Sequence, residues 1–358
     1  MCKLIIQPNT KQGQKGGRVA KGAKKAVKKL AQYKQMQLPL GFVFPGPKKN
    51  RDYSNTIELY DAIPKYFWGR VQRIDGQFLK PLEREFRFRN EDYKVAITPA
   101  RMKVKEGYRD YFPGQREELV EDALRKLASD GAGCLLDDQV SVIFSLYELQ
   151  KELTVMGHTY SIKQIKDALL VCTKTHLQLE SSDGRAILTS SVFETVGLST
   201  RADWKGTGKK TRCFVRFNSL VTRSIRSQTF RQLNYKTCMS YKRMLARWLH
   251  KRMSHIYRQA AFNNSYGILL STIIRDSGAK PYKQLRNNLR KVREALGEMK
   301  EKRVVVSYKE EKIMEHGRRR IIDVRFDIRP GLIFIQDIKR ANKKHQKVLE
   351  LRSKKQNI

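Results

Sequence analysis

The chain has 358 residues, with 74 Lys+Arg against 35 Asp+Glu and a formal net charge of +39. Its hydrophobic fraction of 40% suffices for packed cores, and so large a charge excess points to a polyanionic partner, nucleic acid by default and an anionic membrane surface as the runner-up. No stretch approaches the ~18 apolar residues of a membrane span, and Leu4, Ile5 and Ile6 alone are too short for the apolar part of a secretion signal. The five cysteines are far apart and odd in number, which fits reduced thiols in a cytoplasmic protein and no zinc knuckle.

Taken in chain order, residues 1–51 carry thirteen Lys or Arg and no acid, which reads as a flexible basic arm. Within it, Gln37-Leu38-Pro39-Leu40-Gly41-Phe42 resembles the short peptide that bacterial replication proteins insert into the sliding clamp, with Gln37, Leu38, Leu40 and Phe42 as anchors. A proline-containing linker is the competing reading. Residues 52–112 are rich in aromatics and yield no fold from pattern alone. Residues 113–222 read as a domain. Glu117–Ser129 has a helical stripe at 119, 120, 123, 124 and 127. Asp137-Asp138 is expected to cap a second helix running to about Met156 and stopped by Gly157. Ser161 caps a third, with Ile162, Ile165 and Leu169 inward. Two β-like runs, His176–Glu180 and Ala186–Phe193, flank the turn Ser182-Asp183-Gly184.

The same order recurs over residues 223–335. Met239–Ala260 reads as a long helix and Ser265–Ser277 as a second, ended by Gly278. Pro281 opens a third, with the stripe Leu285, Leu289, Val292, Leu296 and Met299, and a hairpin follows around Gly317. Three helices and a hairpin, twice over, define the expected fold class: α+β, two tandem winged helix-turn-helix domains. Residues 336–358 read as a flexible basic tail, since eight Lys/Arg lie beyond residue 338 against Glu350.

The helix after Pro281 carries the most specific chemistry. With its stripe in a core, Lys283, Arg286, Asn287, Arg290 and Arg293 fall on the opposite face. Arginine and asparagine read guanine and adenine edges in a major groove. Arg286, Asn287, Arg290 and Arg293 are therefore the expected base readers, and Lys283 a phosphate contact. Arg318, Arg319 and Arg320 at the hairpin tip suit phosphate or minor groove. Lys242, Arg243 and Arg247 on the long helix suit the backbone. In the first domain Lys163 and Lys166 occupy the matching helix; lysine lacks the planar fork, so this half is expected to hold phosphate or meet a second subunit. The segment Trp204–Thr211 fails as a phosphate loop, because Asp203 stands where glycine is needed and Lys210 where Ser or Thr would hold magnesium. The six histidines form no His-x-His pair, and Asp323 and Asp327 read as outward strand residues. No metal, cofactor or enzymatic activity is expected.

The segments SYKRMLARWLHKRMSHIYRQAAFNNSYGILL, KPYKQLRNNLRKVREALGEMKEKRVVVSY and RRRIIDVRFDIRPG resemble the C-terminal half of iteron-binding replication initiators of theta-replicating plasmids. The resemblance covers roughly Gln115–Pro330. It implies two winged-helix domains, the second binding repeated double-stranded DNA sites at an origin and the first giving a second DNA contact or a dimer interface. It also implies melting of an A·T-rich segment, recruitment of host replication proteins (replicative helicase, initiator, sliding clamp) and a monomer–dimer equilibrium. Residues 1–51 and 52–112 depart from the compact members of that family. Two other classes remain open: an RNA-binding or ribosome-associated protein, and a recombinase or primase with its site in 52–112.

Overall fold

The computed structural model describes residues 52–69, 78–198, 212–315 and 320–356. The stretch without a fold assignment opens with strand β1 (Tyr53–Ile57) and a short helix α1 (Glu58–Ala62). Two hairpins follow, β2 (Leu82–Phe88) with β3 (Glu91–Thr98), and β4 (Ala100–Val104) with β5 (Gly107–Tyr111).

Helix α2 (Gln115–Leu127) forms where the stripe predicts it, with Leu119, Val120, Ala123 and Leu124 fully buried. The next expectation is corrected. Asp137 and Asp138 do not cap a helix; both adopt left-handed backbone (φ +47° and +64°) and turn a hairpin between β6 (Gly133–Leu136) and β7 (Gln139–Phe144). Val140, Val142 and Phe144 alternate into the core, a period of two that the longer helical reading had absorbed. Helix α3 (Leu146–Val155) begins only at Ser145, whose hydroxyl accepts from Glu148 N while Glu148 accepts from Ser145 N. Ser161 and Gln164 cap α4 (Ile162–Lys174) in the same way.

Strands β8 (His176–Ser181) and β9 (Ile187–Ser191) make the expected hairpin, with Gly184 at φ +68° in its turn. The first module is completed by β10 (Phe193–Gly197), β11 (Cys213–Phe217), α5 (Ser219–Arg226), β12 (Phe230–Asn234) and α6 (Tyr235–Met239). The sheet order β2-β3-β8-β9 shows that residues 82–98 widen the wing of this module. A second sheet runs β10-β11-β7-β6, and β1 pairs antiparallel with β12. The first hydrophobic core extends from Ile57 to Met239, so residues 223–239 pack with it and the second core starts at Tyr241.

The second module consists of α7 (Met244–Ile256), β13 (Tyr266–Leu269), α8 (Leu270–Ser277), α9 (Leu285–Glu301), β14 (Val305–Met314), β15 (Ile321–Pro330) and α10 (Leu332–Gln356). The long helix read from Met239 is interrupted at residues 240–243, where the Glu298 carboxylate accepts from Lys242 N (2.6 Å) and Arg243 N (3.1 Å). The first residues of the predicted Ser265–Ser277 helix instead pair as β13 with β15. The C-terminal segment is helical to Gln356 rather than a flexible tail, because Phe334, Ile335, Ile338 and Ala341 carry a buried stripe past the sequence boundary.

The two modules meet through buried charge. Arg247 on α7 donates to Glu118 on α2 (2.9 Å), to Cys238 O (3.1 Å) and to Tyr241 O (2.9 Å). Lys251 Nζ, one turn on, donates to Asp122 (2.7 Å) and Glu118 (3.2 Å). Burial alone would raise the Glu118 carboxyl, but Lys251 and Arg247 hold it below its usual range. Beside them Arg125 pairs with Glu121 (2.5 Å) and Asp61 (2.8 Å), and the Thr56 hydroxyl lies 2.8 Å from His255 Nε2. Further fasteners are Arg87 N to Asp276 (3.1 Å), and Tyr53 and Asn234 to Asp337 on α10 (2.6 and 2.8 Å).

Two tests follow from this seam. Arg247→Ala leaves Glu118 buried with half its partners, and is expected to cost about 3–5 kcal/mol in urea unfolding. A cost below about 1 kcal/mol would show the pair to be solvated. Burial pushes His255 down to about 4 and, with Lys251 adding to it, His250 down to about 3, from the ordinary 6.5. Both rings are neutral in the fold, so between pH 6.5 and about 4 the unfolded chain binds protons that the folded chain does not. Stability is therefore expected to be full above pH 6.5 and to fall on acidification through that window. His255→Gln should flatten the fall in urea midpoint.

Candidate nucleic-acid interface

Helix α9 forms because Val292, Ala295, Leu296 and Met299 are buried on one face, with Leu285 and Leu289 packed against the same core. It begins at Leu285, four residues after Pro281, so Lys283 lies in the preceding turn. The buried Asn288 holds that turn: its Nδ2 donates to Tyr282 O (2.9 Å) and its Oδ1 accepts from Tyr282 N (2.8 Å). Lys291 Nζ caps the Tyr282 ring at 4.2 Å from the centroid. Neither Asn288 nor Tyr282 was singled out from sequence. An asparagine next to Leu289 on the inward side of the stripe was the available signal.

Arg286 and Arg290 are exposed and Asn287 is half-buried, all on the face opposite the core. Gln284 Oε1 accepts from Arg286 Nε (2.9 Å) and Asn287 Nδ2 (3.4 Å), which orients both near the helix start. Arg290 makes no hydrogen bond or ion pair among the described residues, so its whole fork is open to a ligand.

The structure corrects two assignments. Arg247 is 0% exposed and cannot touch a phosphate; the face of α7 opposite its apolar stripe is covered by α2. Arg293 is exposed but committed: its Nε and Nη2 donate to the two oxygens of Glu310 on β14 (2.8 and 2.6 Å). A bidentate pair of this kind leaves it little capacity to read a base. Arg243 pairs with Glu294 (3.3 Å), whereas the Lys242 side chain is exposed. Arg320 is exposed immediately before β15, and its carbonyl accepts from Glu315 N (2.8 Å). Arg318 and Arg319 lie outside the described residues, as do Gln37, Leu38, Leu40 and Phe42 and the basic turn at 204–211.

In the first module Lys163 is exposed and Lys166 half-buried on α4. Among the described residues there is no cluster of three His, Cys, Asp or Glu able to hold a metal, and no helix long and apolar enough to cross a membrane.

No family model and no curated protein matches this chain. Among solved structures it is similar to domains 2 and 3 of RctB, at 10% identity over 73% of this chain and 94% of that one, with a TM-score of 0.46. A second structure of RctB domains 2 and 3 gives 12% identity, 74% and 96% coverage and a TM-score of 0.40. The Pi initiator protein in complex with iteron DNA gives 12% identity, 61% and 91% coverage and a TM-score of 0.42.

The Arg293–Glu310 pair supplies a direct probe of this face. Glu310→Gln removes an acid and releases a guanidinium, so duplex affinity should rise. The slope of log K against log salt should steepen by about one unit. Unchanged affinity and slope, measured by fluorescence anisotropy, would place β14 outside the interface.

Proposed function

We propose that this chain is a non-enzymatic, sequence-specific double-stranded DNA-binding protein of the replication-initiator type, binding repeated sites at a plasmid origin. One observation carries the reading: α9 presents Arg286, Asn287 and an unengaged Arg290 together on an exposed face, beside Lys283. The helix follows α8 through the left-handed Gly278 (φ +71°), and the β14–β15 hairpin comes next in the chain. In this helix-turn-helix order the second helix enters the major groove with its N-terminal half nearest the bases. Arginine forks suit guanine O6/N7, and asparagine suits adenine. Lys283, Lys242 and Arg320 then hold phosphates, while Lys163 and Lys166 on α4 give the first module a weaker, backbone-directed contact. Origin melting and recruitment of host replication proteins complete the proposal.

The test is Arg290→Ala, bound to a duplex selected by the wild-type protein from a random library and to random duplex. Loss of about 1–3 kcal/mol on the selected duplex, and far less on random DNA, is expected of a base contact. Equal loss on both would reduce Arg290 to a phosphate contact and overturn its recognition role.

A further inference from the structure

Strands β4 and β5 form a two-stranded sheet of their own, outside the wing sheet. Strand β4 packs against α4, and Lys174 Nζ donates to Arg101 O (3.4 Å). The register sets Arg101 opposite Asp110 and Lys103 opposite Tyr108, so these four side chains share one face. Met102 and Val104, on the other face, are half-buried.

The shared face is built. Asp110 is buried and accepts from Arg101 Nε (3.0 Å) and from Leu79 N (2.9 Å). That one carboxylate ties the segment carrying Phe78 to the hairpin, and the Arg101 guanidinium lies 3.3 Å from the Phe78 ring centroid. Arg101 is thus fixed in plane by an acid on its edge and a ring on its face, while its other N–H groups make no hydrogen bond among the described residues. Phe78 is 56% and Tyr108 63% exposed, and neither belongs to a core. Lys103, Lys105 and Arg109 are exposed too, against one exposed acid on the hairpin, Glu106 in its turn.

Cations alone suffice to hold the phosphates of a duplex, whose bases keep their faces inside the stack. Two open rings interleaved with cations match a strand whose bases are unpaired, because every base offers a π-face for stacking while its phosphates need positive charge. We propose that the Phe78–Arg101–Lys103–Tyr108 face is a second nucleic-acid site, separate from α9, that binds single-stranded DNA. The inference rests on the reading above only for the nature of the ligand.

The test uses the full chain and a labelled oligothymidylate, with the selected duplex measured in parallel. Tyr108→Ala and Phe78→Ala should each weaken oligothymidylate binding about 5- to 100-fold, the loss expected when one stacked base is given up. Duplex affinity should be unchanged, and Tyr108→Phe should retain binding. Both rings are exposed, and an unchanged urea midpoint would confirm that the variants fold. Absence of oligothymidylate binding by the wild type, equal losses on duplex and single strand, or preference for oligouridylate would each overturn the proposal. Ring-dependent oligothymidylate binding without duplex selection would instead overturn the reading of α9 and leave this site standing.

Discussion

The arrangement of the two modules depends on the buried carboxylates of α2 and the cations of α7. Glu118 and Asp122 face Arg247 and Lys251 across the seam, each within 2.7–3.2 Å of a partner. Charges taken out of water are tolerated only when paired at close range with their remaining groups hydrogen-bonded, and Arg247 meets both conditions through Cys238 O and Tyr241 O. Sliding α7 along α2 would leave charges unpaired, so the network selects one register between the modules, and with it the position of α9 relative to α4. Strand β2 adds a second constraint: it belongs to the first module's wing sheet and also packs on α8, where Arg87 N reaches Asp276.

Basic residues in this chain divide into two populations that composition cannot separate. One is spent internally: Arg247 and Lys251 in the seam, Arg125 on Asp61 and Glu121, Arg293 on Glu310, Arg243 on Glu294. The other stays at the surface. Arg286 and Arg290 on α9, Lys163 on α4 and Lys103 and Lys105 on the β4–β5 hairpin are exposed. Only the second population answers a polyanion, so the +39 of the whole chain overstates what its folded part offers to DNA.

Much of the fold was legible where local chemistry and period agreed. The Ser161/Gln164 capping box, the stripe from Leu285 to Met299 and the Gly184 turn each specify their element without tertiary help. Four features were hidden for identifiable reasons. Val140, Val142 and Phe144 fit both a helix and a strand, and the left-handed Asp137-Asp138 turn decided between them. Arg247 and Lys251 have the spacing of a solvated face, and only the partner helix reveals that this face is buried. At the candidate site the sequence placed Arg286, Asn287 and Arg290 on the open face, but Glu310, distant in sequence, removes Arg293 from it. Alternating Arg101, Lys103 and Lys105 before Glu106-Gly107 carried a hairpin signal that the surrounding aromatics obscured.

The central claim is that α9 reads a duplex from its major groove. Methylation interference at guanine N7, on a duplex that the full chain has selected, tests it most directly, because that atom lies in the major groove and accepts from an arginine fork. The account predicts that N7 methylation at a few discrete guanines abolishes binding, within a footprint phased to the helical turn. Binding indifferent to N7 methylation at every guanine of the site would contradict it.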